Sequence, residues 1–472
     1  MNVTAPIRRM ALMAPDAPAI VDSSGSVLSY AALDRGIDLM AGHAVELGLG
    51  PGDIAGLSVG RAGQATSLIL LLGLARIGVA TVDPGHTAAH RWSFRYGSHA
   101  DPGQVRFDAT WLADALAGAP VPPAAMHDDP HALFRILSSS GTTGMPKLIP
   151  TSHALTVRRL YSRFASQGPA GQRQMIANGL TGVGSIVAAL SVFWQGATLV
   201  LFDPDTAVDL IGRFDVDAVT TSPGTLHMIL AHRPEGSAPL PGLRELAVGS
   251  AHVPPPLRRL AEARLCPNVF IHAGSSETGR IAFGPASAMD GRTDAAGFVT
   301  PGITVQALDE SGRVLPPGEA GLLRIQSDSN ADGYLNDPEA TARDFRDGWY
   351  YSGDIGTVWP DGILSLSGRV AELIDIGGDK FNPALIESVL ERFPGVTEAA
   401  VFAVPDALGL NELHAALAVS APVDPAELET FCRQHLPRMP LAAVLEVTKL
   451  PRNEAGKVQR DRLAALSSVT GK

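Results

Sequence analysis

Leu137-Ser138-Ser139-Ser140-Gly141-Thr142-Thr143-Gly144-Met145-Pro146-Lys147 is the stretch from which the rest of this chain becomes readable. An apolar strand over 134–137 runs into seven consecutive small or hydroxylic residues, 138–144, and the run ends on Pro-Lys. Small side chains let backbone N–H groups come close to an anion, and the hydroxyls add further donors. Lys147 supplies a positive point charge. The pattern predicts a cradle for a polyphosphate at the end of a strand. It is not the GxxxxGK[ST] loop of P-loop NTPases, and no GxGxxG fingerprint stands nearby. A flexible Ser/Gly linker is the alternative, but linkers seldom grow out of an apolar strand and finish in Pro-Lys.

Working outward, short apolar strands alternate with helical patterns. Strands are expected at 54–59, 79–82, 197–202, 218–221 and 245–248, and helices at 30–47, 68–77, 185–194, 225–231 and 255–265. That alternation argues for parallel sheet covered on both faces. From Gly297 to Asp354 the texture changes to short strands and Gly/Pro turns such as Pro316-Pro317-Gly318. After Gly368 a unit of about 100 residues follows. In it Asn382-Pro383 reads as an N-cap with proline at the first helical position. Strands at 398–404 and 415–419 and a helix over 425–435 complete an α+β pattern.

Composition narrows the partners. At 472 residues the chain is long enough for several core-sized units, and 45% hydrophobic with 18% charged residues is globular composition. A net charge of −11 gives no electrostatic attraction to nucleic acid or to an anionic membrane surface. The apolar run 68–75 is far shorter than the roughly 20 residues a membrane span needs. Arg8-Arg9 are followed too soon by Pro15-Asp16 for a signal-peptide core. Cys266 and Cys432 form no disulfide framework, and no Cys/His spacing reads as a zinc site. A cytoplasmic location is the expectation. His127 and His131 are four apart with Pro130 between them, so they read as loop residues. His272 reads as a satisfied structural histidine.

The loop SSGTTGMPK resembles the phosphate loop of the adenylate-forming superfamily, which comprises acyl- and aryl-CoA synthetases, nonribosomal-peptide adenylation domains and firefly-type luciferases. Further resemblances lie in the same order along the chain. Gly249-Ser250-Ala251 is similar to the family's adenine turn, and Gly274-Ser275-Ser276-Glu277 to its GxTE motif. Residues 349–354 (WYYSGD) resemble W-Y-R-T-G-D. Gly368-Arg369, with Gly377-Gly378-Asp379-Lys380, is similar to the hinge and the loop after it. Residues 451–457 (PRNEAGK) resemble P-R-T-x-x-G-K. The resemblance implies an α/β fold: a large N-terminal domain (1–368) of α/β subdomains with a small β-barrel-like part, and a small mobile α+β C-terminal domain (369–472).

It also implies roles. Ser139, Ser140, Gly141, Thr142, Thr143, Gly144 and Lys147 hold the phosphates of ATP. Gly249, Ser250, Ala251, Ala273, Gly274 and Ser275 face the nucleotide, Asp354 holds its ribose, and Arg369 makes a second ribose or phosphate contact. Glu277 ligates Mg²⁺, a hard cation that prefers oxygen, with Ser276 beside it. Lys457 bridges the carboxylate and the α-phosphate, neutralising charge as two anions meet. A carboxylic acid is thereby converted to an acyl-adenylate with release of pyrophosphate. The small domain then swings, carries Lys457 out, and brings Gly377, Gly378 and Lys380 toward an acceptor thiol. CoA is the expected acceptor, a phosphopantetheinyl carrier protein the alternative, and a non-catalytic nucleotide or acyl sensor the reading from a different class.

Several positions depart from the family pattern. Ala273 stands where most relatives have an aromatic residue against adenine, Ser276 replaces threonine, and Tyr351 replaces a basic residue. Ala371 falls where the hinge often carries Asp or Lys. Amino-acid-activating relatives carry an Asp that pairs with the substrate ammonium, whereas 178–185 (NGLTGVGS) holds no carboxylate. An unpaired ammonium in a buried pocket is costly, so an aryl, fatty or other unaminated acid is expected. Gly179, Gly184, Ser185, Ser222 and Arg280 are expected to line the acyl pocket, with a rim salt bridge as the reading for Arg280 and contact with a second polar group on the substrate as the alternative.

Overall fold

The computed structural model describes residues 1–58, 63–83, 92–96, 104–107, 124–138, 147–167, 171–180, 182–292, 294–376, 379–405, 411–436, 441–452 and 458–470. Four sheets carry the fold. The first has six strands in the order Gln104–Phe107, Trp92–Tyr96, Ile54–Ser58, Ala80–Val82, Leu133–Ser138, Leu148–Ser152. All neighbours in it are parallel except the last pair. Its strands at 92–96 and 104–107 fall in a stretch where sequence reading placed none.

Helix Gln64–Arg76 shows why this part folds as a layered α/β unit. Twelve of its 13 residues are buried, as expected of a helix that is apolar all round. Its last residue, Arg76, is fully buried and paired: Nη2 lies 2.6 Å from Asp34 and Nη1 2.8 Å from Asp38. Arg8 reaches the same two carboxylates, each at 2.6 Å, from helix Ala5–Met13. Sequence reading saw Arg8-Arg9 only as a leader signal that fails; the structure uses Arg8 to pin the first helix onto helix Tyr30–Glu46.

The larger sheet has 14 strands. Six neighbouring parallel strands lie toward one end of it, with only Val27–Ser29 outside them: Pro18–Val21, Thr198–Val200, Arg173–Ala177, β1 (Ala218–Thr221), β2 (Glu245–Gly249) and β3 (Val269–Ser275). Beyond β3 the pairing turns antiparallel at β4 (Gly279–Pro285) and continues through the strands from Ala295–Val299 to Ile363–Arg369 and Trp349–Val358. The Gly/Pro-punctuated stretch of the sequence is therefore an antiparallel extension of the same hydrogen-bonded path. Val183–Trp194 and α1 (His153–Gln167) are among the helices packed against this layer. Among the described residues no helix is long and apolar enough to cross a membrane.

Residues after Arg369 build a core of their own. A three-stranded sheet, Val396–Pro405, Asn411–Val419 and Leu441–Val447, packs with helices Pro383–Leu390 and Pro425–His435 around Ile386, Leu390, Val401, Leu417 and Cys432. Asn382 caps the first of these helices, accepting from Ala384 N at 3.1 Å, while its Nδ2 donates to the Ser367 carbonyl at 2.6 Å. Its carboxamide passes directly over Gly368, whose φ is +138°; a Cβ there would lie 2.5 Å from Asn382 Oδ1. Only glycine fits that crossing.

Candidate active site

Ligand sites in open α/β sheets form beyond the carboxyl ends of parallel strands, and the chemistry-bearing residues collect there. Asn178 follows strand Arg173–Ala177, Ser222 follows β1, Ser250 follows β2, and Ser275, Ser276 and Glu277 lie at and beyond the end of β3. Together they line a cleft of about 1510 Å³. Its opposite wall comes from the small sheet and from residues 448–452, the segment that runs into 453–457. Chain positions more than 300 apart thus share one cavity.

At one end stands Glu277, 7% exposed. The Tyr334 hydroxyl lies 3.3 Å from Glu277 Oε1 and 3.2 Å from Asp344 Oδ2, so one phenol proton serves two carboxylates. Burial, then the neighbouring Tyr350, Glu277 and Asp344, hold the Tyr334 phenol firmly protonated. Lys147 lies 2.6 Å from Asp344 Oδ2 and 4.5 Å from the centre of the Tyr334 ring. Burial alone would raise the Asp344 carboxyl; the bonds from Arg343 and Lys147 outweigh it and hold the group below its usual range. On the far side of Glu277, Arg159 Nη2 donates to the backbone carbonyls of Ser276 and Glu277, both at 3.0 Å. The turn is thereby fixed from α1.

Around the nucleotide turn the backbone leaves no spare room. A Cβ on Gly249 would lie 2.4 Å from the His272 ring, and Ser250 adopts φ +73°, a left-handed conformation rare for a residue with a side chain. Ala251, Ala273, Gly274 and Ser275 line the cleft with them. Asp354 and Arg369 face each other across paired strands, with Arg369 Nε 2.7 Å from Asp354 Oδ1; Arg369 lines the cleft. Tyr351, standing where a basic residue was expected, lies between two arginines. Arg324 Nη1 is 3.4 Å from its hydroxyl, and the Arg346 guanidinium lies 4.0 Å from its ring centre.

The residues expected on the acyl side, Gly179, Gly184, Ser185, Ser222 and Arg280, all line this cleft, and the fold adds Asn178, His227 and Met228. Ser185 commits its hydroxyl proton to the Gly179 carbonyl at 2.7 Å, and Ser222 caps helix Pro223–Ala231 by accepting from Thr225 N at 3.3 Å. Arg280 makes no salt bridge among the described residues. It turns inward to the Gln167 amide oxygen at 2.9 Å and over the Phe283 ring at 4.7 Å. His272 is not satisfied as expected: its Nε2 is buried without a partner among the described residues, and burial, followed by Arg280 and Arg163, holds the ring neutral.

Ser139, Ser140, Gly141, Thr142, Thr143, Gly144, Gly377, Gly378 and Lys457 lie outside the described residues, as does the side chain of Lys380. Residues that sequence reading missed are Arg159, Arg163, Tyr334 and Asp344. The two arginines had a signal: they sit on the same helical stripe as Leu155 and Leu160, the buried face of α1.

His252, just after the nucleotide turn, meets the small unit: its Nε2 lies 3.3 Å from Glu391 Oε2. Burial lowers the imidazole pKa, but the hydrogen bond and charge of Glu391, with Glu387 and Asp294 behind it, leave it raised overall. A raised histidine stabilises the contact fully below its unfolded value of about 6.5 and loses that contribution as pH climbs through the folded value. Docking of the two units is therefore expected to loosen above neutrality, and His252→Gln to flatten that dependence. Small-angle scattering or a distance label across 252 and 391, followed against pH, checks this. A profile unchanged by the substitution overturns it.

A buried carboxylate with few side-chain partners beside a triphosphate-sized cleft suits Mg²⁺, which is usually held by one or two carboxylates and the substrate's own phosphates. Among the described residues no group of three or more His, Cys, Asp or Glu is arranged to hold a metal by itself.

Comparison with known proteins agrees with this geometry. The AMP-binding enzyme family matches residues 95–335, and the AMP-binding enzyme C-terminal domain matches residues 385–457. A fatty acid–[acyl-carrier-protein] ligase, ScoC, of Streptomyces coeruleorubidus is 32% identical over 75% of this chain and 71% of its own length. Phenyloxazoline synthase MbtB of Mycobacterium tuberculosis is 31% identical over 97% of this chain, which spans only 34% of that larger protein. A sulfoacetate–CoA ligase of Cupriavidus necator is 30% identical over 95% of this chain and 94% of its own. Among solved structures, ATP-bound MatB from Rhodopseudomonas palustris superposes with a TM-score of 0.83 at 25% identity, covering 100% of both chains. The chain belongs to the AMP-binding, adenylate-forming enzymes, ligases that use ATP to activate a carboxylic acid for transfer to a thiol.

Proposed function

We propose that this chain activates a carboxylic acid lacking an α-amino group and hands the acyl group to the thiol of CoA. The observation that carries the reading is the shared cleft. Lys147, Ser276 and Glu277 lie on one wall and residues 448–452, leading to Lys457, on the other. Catalysis of attack on a phosphoryl centre is largely positioning and charge neutralisation, and this wall supplies both. Arg159 fixes the Ser276–Glu277 backbone, Tyr334 orients the Glu277 carboxylate, and Asp344 holds Lys147 ready to exchange its carboxylate partner for phosphate. Mg²⁺, when bound, polarises the phosphoryl oxygens. Lys457 is assigned to the meeting of carboxylate and α-phosphate, and Gly377, Gly378 and Lys380 to the thiol side after a swing about a boundary at 368/369. Asn382, clamped between Ser367 and its own helix, stands at that pivot.

A carrier protein as acceptor is the second reading, favoured by the ligase of S. coeruleorubidus that acts on acyl carrier protein. ATP–pyrophosphate exchange against a panel of carboxylic acids, with Lys457→Ala as control, tests the activation step. Exchange with unaminated acids is expected, and exchange with amino acids alone overturns the substrate class. Thioester detection by mass spectrometry with CoA or with a phosphopantetheinylated carrier separates the two acceptors.

A further inference from the structure

The floor of the acyl side carries two guanidinium groups, neither of them in a salt bridge among the described residues, with Glu245 acting on both through space. Helix α1 places Arg159, Arg163 and Gln167 four residues apart, hence along one face. Arg159 serves the Glu277 turn. One helical turn further, about 5.4 Å along the axis, Arg163 is 6% exposed; its Nη2 lies 3.3 Å from Thr220 Oγ1 on β1. Arg280 comes from β4 to the Gln167 amide oxygen. Arg163, Thr220, His272 and Arg280 all line the cleft. The nearest acidic group, Glu245 at the start of β2, is reached through a bridge: Gln167 accepts from Arg280 and donates its amide N–H to Glu245. No salt bridge forms to Arg163 or Arg280 among the described residues.

Two like charges are thus held close in a desolvated place. Burial, and then Arg163, oppose the charge on Arg280, while burial pushes Glu245 toward its neutral form. A guanidinium does not give up its proton at neutral pH; the charge of Glu245 offsets part of the opposition to both arginines, and an anion in the cleft would offset the rest. A buried charge wants a partner of opposite sign with hydrogen bonds. Thr220 and the bare Nε2 of His272 extend the polar surface around the place where such a partner would sit.

We propose that the acid activated here carries a second oxyanion, a carboxylate or sulfonate, at the end remote from the reacting carboxyl, and that Arg163 and Arg280 bind it. The proposal rests on the adenylation reading above and deepens it. It removes long-chain fatty acids from the open substrate classes, because an apolar chain end on two guanidinium groups strips their solvation and returns nothing. It strengthens the exclusion of amino acids with cationic side chains for the same electrostatic reason.

The test pairs each diacid with its monoacid: glutarate with pentanoate, adipate with hexanoate, isophthalate with benzoate, and sulfoacetate with acetate. In ATP–pyrophosphate exchange at least one dianionic member is expected to exceed its partner in kcat/KM by roughly tenfold or more, since a site built for a charged hydrogen-bond partner rejects the analogue lacking it. Arg280→Gln and Arg163→Gln should raise KM for that diacid by about the same factor and far more than for its monoacid, narrowing the gap between the two, with the loss in KM rather than in kcat. Arg280→Lys, which keeps the charge, should recover part of the loss. Thermal-shift titration with the same acids, without ATP, gives a second readout: diacids raise Tm of the wild-type chain but not of Arg280→Gln. Monoacids matching every diacid, or variants that weaken both members of a pair alike, overturn the proposal. If no acid supports exchange yet diacids still protect through Arg280, the adenylation reading fails and the oxyanion site stands. If exchange runs only with monoacids, the reverse holds.

Discussion

Glu277→Gln is expected to lower ATP–pyrophosphate exchange by roughly 10²–10³-fold, the size of effect seen when one preorganised electrostatic group is removed from a reacting centre. The substitution keeps the shape of the side chain and an oxygen able to accept from Tyr334, which lies 3.3 Å away. The backbone of the turn is also untouched, because Arg159 and Ala331 N hold its carbonyls. What disappears is the negative charge, and with it the hard anionic oxygen that Mg²⁺ prefers. The variant should therefore fold as the wild type does, retain its circular-dichroism spectrum, and need more Mg²⁺ for half-maximal exchange. A variant with wild-type rates at the same Mg²⁺ concentration removes Glu277 from the site. Tyr334→Phe offers a graded companion: it leaves the carboxylate in place and removes only its orienting donor, so a smaller loss of the same kind is expected.

Arg76→Met is expected to produce the largest loss of stability. Arg76 is fully buried and joins Asp34 and Asp38, which Arg8 also contacts. Removing one partner of a buried ionic cluster strands the others, and the cost is about 3–5 kcal/mol. That corresponds to a fall in Tm of roughly 5–10 °C for the unit that contains it. Arg8→Met should cost less, because Arg8 is partly exposed and Arg76 would still neutralise part of the cluster. Equal effects of the two substitutions, or a Tm unchanged by Arg76→Met, would show that the cluster does not hold the first two helices together. Neither change touches the cleft, so the surviving folded enzyme should keep its exchange rate per molecule at low temperature.

The local chemistry of this protein is written in short contiguous stretches, and those are the parts that sequence reading reaches. Turn 249–251, the Ser276-Glu277 corner, the pairing of Asp354 with Arg369 and the Asn382 cap each depend on residues within a few positions of one another or on a single strand pairing. Gly249, which has no room for a Cβ against His272 of the paired strand, shows how one strand pairing sets such a demand. The alternation of helices and strands likewise announces a parallel layer, because a strand buried on both faces must be apolar throughout.

What the chain order alone does not determine is which distant groups share a charge. Arg159 and Arg163 share the apolar stripe of their helix, which marks them as buried but leaves their partners unnamed until packing against the large sheet sets Arg163 beside Thr220 and near Arg280. Arg280 looks like a rim residue until β4 pairs antiparallel with β3 and turns it inward to Gln167. Tyr334 and Asp344 belong to no motif, yet Tyr334 hydrogen-bonds to Glu277 from 57 positions away and Asp344 pairs with Lys147 from 197 away. Coulombic and desolvation effects depend on spatial distance and on the surrounding medium, and neither quantity exists for a chain before it folds. The sequence therefore announced the layered architecture and the motifs that carry the family resemblance. The tertiary structure alone decided which charges share the cleft, because only folding brings Arg163 and Arg280 from separate elements to one buried wall.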